Sequence, residues 1–257
     1  LISALLLVSH TFGWGWWSHN EIHSFAIESL PLEMRPFFDA NADSLIERAV
    51  DADRRVFVDK KEQPYHFIDI DRYGKYPFEE LPHSYEEAVK KFGKEVVDSN
   101  GTVPWRIADF TGRLADAMKK KDRRSMLFFV ANLGHYVADA HVPLHSTENY
   151  NGQLTDQLGI HSRWETQLPA QFGKEYALEE EQVEYIKDPL ETAFTIILES
   201  YREVDSVLKI ELKAKEGIPE SELYTTKRER GKTVNIYSDE YYSRYHKLLN
   251  GMVERRM

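Results

Sequence analysis

Residues 124–140 form the most apolar stretch of the chain. Met126, Leu127, Phe128, Phe129, Val130, Leu133 and Val137 spread around nearly the whole circumference of a helix drawn through them. A helix apolar on all sides has to be enclosed by other elements, so this segment calls for a multi-helical surround. It should stop near Val142, because Pro143 drives the residue before it out of the helical region. Other segments supply the surround. Ser18 can cap a helix through Ile22, Phe25, Ala26 and Ser29 that ends at Pro31. Pro104 fits the first turn of a helix carrying Ile107, Phe110, Leu114, Ala115 and Met118 on one face. Pro189 to Leu212 is amphipathic through Phe194, Ile197, Leu198, Tyr201, Val204, Val207 and Leu208, and Ser238 to Met257 through Tyr241, Tyr245, Leu248 and Met252. No run alternates with the period of a strand, and there is no internal repeat or Gly/Ser linker. Gly74 to Pro82 and Ser146 to Gly159 read as loops, and Lys213 to Asn235 as a charged excursion. The reading is a single all-α, multi-helical domain.

Leu1 to Val8 is apolar and uncharged, but far shorter than the about 20 residues that span a bilayer. It reads as the tail of a secretory signal, with Thr11 and Gly13 small enough for the positions before a cleavage site. On that reading residues 1–13 are a signal remnant, residues 14–257 are the functional domain beginning at Trp14, and the protein is exported without a stable membrane span. A buried N-terminal strand is the alternative. The formal net charge of −10 disfavours duplex gripping by counterion release, which needs a basic face. With no cysteine in the chain, disulfides and thiolate metal sites are excluded.

The chemistry therefore has to sit on histidines and carboxylates. Three of the ten histidines fall into His135-x-x-x-Asp139-x5-His145 and His161-x-x-x-Glu165. Residues four apart share a helix face, so each pair can chelate one ion, and His145 can turn back past the helix end toward the same cavity. Two such pairs flanking a loop point to metal where one pair alone would not. Imidazoles mixed with carboxylates suit zinc best. Asp51 and His66 extend the set, with Asp53 as the alternative to Asp51. Trp14 lies five residues before His19, and a free amino group at Trp14 beside its own carbonyl would be a ready chelate.

The motif H-Y-V-A-D-A-H-V-P-L-H followed by G-I-H-S-R-W-E resembles the superfamily of bacterial zinc-dependent phospholipases C and fungal and plant single-strand-specific nucleases. The resemblance covers roughly Trp14 to Pro169. It implies three zinc ions in a cleft of a helical fold: one on Asp51, His66, His135 and Asp139, a second on His145, His161 and Glu165. The third would take the Trp14 amino and carbonyl groups, His19 and a bridging Asp139. It places Arg54 where the family has a basic residue three positions after the aspartate. Glu165 is phospholipase-like, whereas the Trp14–His19 spacing and the Asp51–Arg54 pair are nuclease-like. A bacterial branch labelled zinc-dependent phospholipase C is the nearest in pattern. The implied reaction is hydrolysis of a phosphate ester, with zinc lowering the pKa of water, Asp51 orienting it, and Arg54 offsetting charge on the phosphoryl oxygens. The first expectation is a phospholipase C-like phosphodiesterase acting on a phospholipid headgroup. The alternatives are a nuclease or nucleotidase acting on single-stranded nucleic acid, and a non-catalytic metal-binding protein, which the nine filled ligand positions disfavour.

The other marked residues have plainer readings. His23 is a neighbour of the ligands or a surface residue, His141 points away from the cavity, His10 leaves with the leader, and His83 and His246 are solvated. Trp16 and Trp17 are packing residues, while Trp164 sits at the cavity mouth. Asn149 to Gln153 faces substrate or is only a tight turn at Gly152. The basic residues Lys119 to Lys121, Arg123 and Arg124 mark a solvated helix junction.

Overall fold

The computed structural model describes residues 14–178, 183–229 and 231–257. The proposed leader, including His10, lies outside the described residues. Among the described residues the fold is all-α apart from one small hairpin. The long helix Arg123–Ala140 starts where Asp122 accepts from the Ser125 amide, and it buries Met126, Leu127, Ala131, His135, Tyr136 and Asp139. It folds back on Val103–Lys120 across Lys121, a left-handed residue between the two helices. Pro104 stands in the first turn, as its missing amide donor permits. Ile107 and Phe110 from this helix join Tyr136, Phe194 and Ile197 in one core cluster. Pro189–Lys215 begins at Asp188, whose carboxylate accepts from the Leu190 and Glu191 amides. It runs past a second cluster built on Trp14, Leu144, Ile160, Trp164, Leu168, Tyr241 and Tyr245.

Several boundaries differ from those read in the sequence. The first helix is Trp16–Glu28, capped at Gly15, so Ser18 lies inside it and buried rather than at its end. The C-terminal segment is two helices, Asp239–Leu249 and Met252–Arg256, because Asn250 and Gly251 both take left-handed backbone. The charged excursion holds an antiparallel hairpin, Tyr224–Glu229 with Lys232–Tyr237, in the register Tyr224 opposite Tyr237 and Glu229 opposite Lys232. The two loops expected at Gly74 to Pro82 and Ser146 to Gly159 are mainly turns. No helix among the described residues is long and apolar enough to cross a membrane.

Candidate metal centre

The segment bearing His66 is threaded between two others. The Ile68 amide donates to the His145 carbonyl, and the Thr102 and Val103 amides donate to Pro64 and Phe67 carbonyls. Gly101 makes this possible. Its φ is +89°, and a Cβ there would collide with the Phe67 carbonyl. The threading carries His66 to the inner face of the Arg123–Ala140 helix, opposite His135 and Asp139.

Four donor atoms meet there. His66 Nδ1 lies 2.8 Å from Asp139 Oδ2, 3.1 Å from His135 Nε2 and 3.7 Å from Asp53 Oδ1. His135 Nε2 is 3.2 Å from Asp139 Oδ2 and 3.5 Å from Asp53 Oδ1. A zinc tetrahedron with bonds of about 2.0–2.1 Å has edges of about 3.3 Å, so the spacings bracket the value such an ion requires. A second group joins His145, His161 and Glu165. The two Nε2 atoms are 3.1 Å apart, and Glu165 Oε2 lies 3.4 Å from His145 and 3.0 Å from His161. In a third, His19 Nε2 is 3.5 Å from Asp139 Oδ1, and His19 clusters with Asp53 and His135. The two oxygens of Asp139 thus face different groups, Oδ2 toward His66 and His135, Oδ1 toward His19.

The tautomers follow from the acceptors. His135 Nδ1 lies 2.8 Å from the Ala49 carbonyl, His145 Nδ1 2.7 Å from the His66 carbonyl, and His161 Nδ1 3.0 Å from the Tyr150 carbonyl. A carbonyl only accepts, so in each neutral ring Nδ1 carries the proton and Nε2 presents a lone pair to the cluster. Lone pairs on His145 and His161 facing each other at 3.1 Å repel unless a cation lies between them.

The electrostatics make the same demand. Asp139 and Glu165 are fully buried and Asp53 is nearly so. Asp53 Oδ1, Asp139 Oδ1, both Glu165 oxygens, both His19 nitrogens and His66 Nε2 have no hydrogen-bond partner. Buried charges are normally paired or bound to metal, and orphaned carboxylate oxygens and ring nitrogens on this scale fit a set of divalent ions. Burial, and for His19 the neighbouring His135, lowers the His19 and His161 pKa values to about 4, leaving both neutral for ligation. For His135, burial is outweighed by the carboxylates of Asp139 and Asp53, which raise it well above its usual value. Burial pushes Glu165 well above the carboxylate range. Asp139 is held well below that range, against its burial, by His135 and His145.

Seven of the expected ligands are brought to these groups: His19, His66, His135, Asp139, His145, His161 and Glu165. Asp51 is not; the residue that the structure brings to the His66 and His135 group is Asp53, the alternative. Asp51 is turned outward, 3.1 Å from both Arg48 and Arg54, at the start of the short helix Asp51–Val56. Two residues along a helix rotate by about 200°, so only one of the two aspartates can face inward. The inward face carries Ala49, Ala52, Asp53 and Val56, all buried. That i, i+3, i+4, i+7 pattern is visible in the sequence and would have selected Asp53. Arg54 is half-exposed, paired with Asp51 and lying over the Trp16 ring at 5.2 Å. Trp14 is buried, its indole donating to the Ala138 carbonyl and packing on Trp164 at 5.1 Å, which anchors the chain beside the cluster.

Trp164 is itself fully buried, not at a mouth, and Trp16 is exposed. His23 is buried behind His19, its ring nitrogens against the His19 and Ala131 carbonyls. His83 is stacked on Phe194 and His246 on Phe172. His141 has its carbonyl held by Arg256 and joins none of the three groups. Gly152 does sit in a tight left-handed turn, with exposed Tyr150 beside His161.

Two supports have no signature in local sequence. Arg163, between His161 and Glu165, is buried and donates to the Glu211 carboxylate, the Tyr241 hydroxyl and the carbonyls of Gln157 and Leu158. Behind His66, Glu62 receives Arg55 at 2.8 Å and the Tyr136 hydroxyl.

An all-α protein with three adjoining groups of histidines and carboxylates, nearly all of them buried, has the donor sets that divalent ions require. Residues 32–255 match the family model described as S1/P1 Nuclease, and the chain belongs to the S1/P1 nuclease family. It is therefore a zinc-dependent phosphoric ester hydrolase within the phospholipase C/zinc nuclease superfamily. The segment Trp14 to Pro31, with His19, precedes the matched residues. No curated protein matches the chain.

Proposed function

We propose that the chain is an exported phosphodiesterase that cleaves single-stranded nucleic acid with three zinc ions. The observation that carries this reading is the set of buried, partnerless donor atoms in three groups within a chain of the S1/P1 family. Asp53, His66, His135 and Asp139 would hold one ion and His145, His161 and Glu165 another. The amino and carbonyl groups of Trp14, His19 and Asp139 would hold the third. Bound zinc supplies Lewis acidity, lowering the pKa of water and neutralising charge on phosphoryl oxygens.

The chain's own residues do the rest. The carbonyls of Ala49, His66 and Tyr150 accept from Nδ1 of His135, His145 and His161, so that Nε2 of each neutral ring faces the cluster. Leu144, Ile160 and Trp164, each next in sequence to a residue of the second group, are buried in one core cluster, and a low-polarity surround strengthens the charge interactions of that group. Arg54, at the surface next to Asp53, receives the anionic backbone rather than the reacting phosphorus. The lipid-headgroup reading rests on Glu165, which stands where the phospholipases have glutamate, and on the likeness in pattern to a bacterial branch labelled zinc-dependent phospholipase C. The deciding experiment gives zinc-loaded protein single-stranded DNA, RNA, phosphatidylcholine and a generic phosphodiester side by side. Cleavage of the nucleic acids at rates well above phosphatidylcholine is expected, and the reverse order would overturn the proposal.

A further inference from the structure

The helix Asp51–Val56 has a second face. Ala52, Asp53 and Val56 point inward, leaving Arg54 and, three residues on, Phe57 facing solvent. Phe57 is 71% exposed and Val58 85%, although an aromatic ring this open gains nothing for the fold. Trp16 is 59% exposed, and the Arg54 guanidinium lies over it. Both aromatic residues are close in sequence to metal-site residues, Trp16 three before His19 and Phe57 four after Asp53. Asp51 accepts from two arginines, Arg48 and Arg54, so it neutralises only half of the charge beside it. Lys60 and Lys61 follow, both exposed. Exposed Asp59 is set against them, so Arg48, Asp51, Arg54, Asp59, Lys60 and Lys61 together keep a small excess of positive charge beside two open aromatic faces, in a chain of net charge −10.

We propose that Trp16, Arg54 and Phe57 form a binding strip for the bases and phosphates of a single strand, adjoining the metal centre and setting the preference for polynucleotides over small phosphodiesters. Aromatic faces interleaved with cations are how single strands are bound without sequence preference, because every base has a π-face and every linkage a charge. Asp51 is the clamp of this strip: it holds Arg54 against Trp16 instead of binding metal. The inference rests on the proposed nuclease activity and deepens it by naming the surface that selects the substrate.

The test is steady-state hydrolysis of a short oligothymidylate by the zinc-loaded enzyme and its Trp16→Ala, Phe57→Ser and Arg54→Gln variants. Trp16 and Phe57 are mostly in solvent and Arg54 is half-exposed, so the fold is retained. Loss of one stacked base should raise KM by about five- to hundred-fold with little change in kcat, and Arg54→Gln should weaken the salt dependence by roughly one ionic contact. Trp16 is the only open indole among the five tryptophans. Its emission should therefore be quenched by oligothymidylate and not by an abasic strand of equal length. Unchanged KM in all variants with no quenching overturns the strip. A shift of Trp16 emission on phosphatidylcholine vesicles, with none on the oligomer, also overturns it and assigns the surface to lipid. Base-dependent quenching without cleavage supports the strip while refuting the hydrolytic reading.

Discussion

Glu211→Gln would test how the second metal group is held. Glu211 is fully buried and accepts from Arg163 at 3.0 Å, Tyr241 at 2.9 Å, Gln157 at 2.7 Å and Lys215 at 2.7 Å. An amide of the same shape removes the negative charge and leaves a buried guanidinium with no counter-charge. Removing one partner of a buried pair costs about 3–5 kcal/mol. Lys215 reaches water and the tyrosine and glutamine contacts can be partly remade, so the lower end, about 3 kcal/mol, is expected. For a chain of this size that corresponds to a fall in Tm of roughly 6–12 °C. The consequence should reach the metal, because Arg163 also fixes the carbonyls of Gln157 and Leu158, just before His161. Zinc affinity at the His145, His161 and Glu165 group should fall about 10–100-fold, as for lost outer-shell support elsewhere, with the Asp53 group unaffected. Calorimetric melting paired with chelator competition reads both quantities. A Tm fall under about 2 °C would refute the energetic argument, and a large fall with every zinc affinity intact would show that the network serves the fold alone.

Asp53→Asn should abolish zinc binding at the His66/His135 group and nearly all hydrolysis, whereas Asp51→Asn should keep the metal and only weaken polynucleotide binding; metal analysis and kinetics of the pair would expose the reverse assignment. Gly134→Ala places a Cβ 2.7 Å from His23 Nε2, a ring wedged behind His19. It should destabilise the protein by about 1–3 kcal/mol, and a Tm equal to wild type would contradict that crowding. Burial and Arg256 lower the His141 pKa to about 3. The unfolded chain therefore takes up this proton near pH 6.5 and the folded one only near 3, so stability is lost as pH falls through that window, by up to about 1.4 kcal/mol per pH unit. His141→Gln should lose less Tm than wild type between pH 6.5 and 4.5, and parallel curves would rule the effect out.

The parts of this molecule that obey local rules could be read from the sequence. His135 with Asp139 and His161 with Glu165 are four apart, and the prolines at 104, 143 and 189 mark real helix boundaries. The family resemblance points to Asp51, with Arg54 three residues on, whereas burial turns the other face of that short helix inward, through Ala49, Ala52, Asp53 and Val56. The hairpin at 224–237 is mostly solvent-exposed, so no alternation of apolar residues announces it, and only Gly231 with φ +79° marks its turn. Arg163 and Glu211 lie 48 residues apart and meet only once the helices pack. No local pattern records such a pair.

The central claim is three zinc ions at three particular groups, and an anomalous difference map at the zinc absorption edge tests it most directly. Three peaks are predicted: one among Asp53, His66, His135 and Asp139, one among His145, His161 and Glu165, and one between His19, Asp139 and the Trp14 main chain. A single peak, or peaks with Asp51 in contact and Asp53 turned away, would contradict the account.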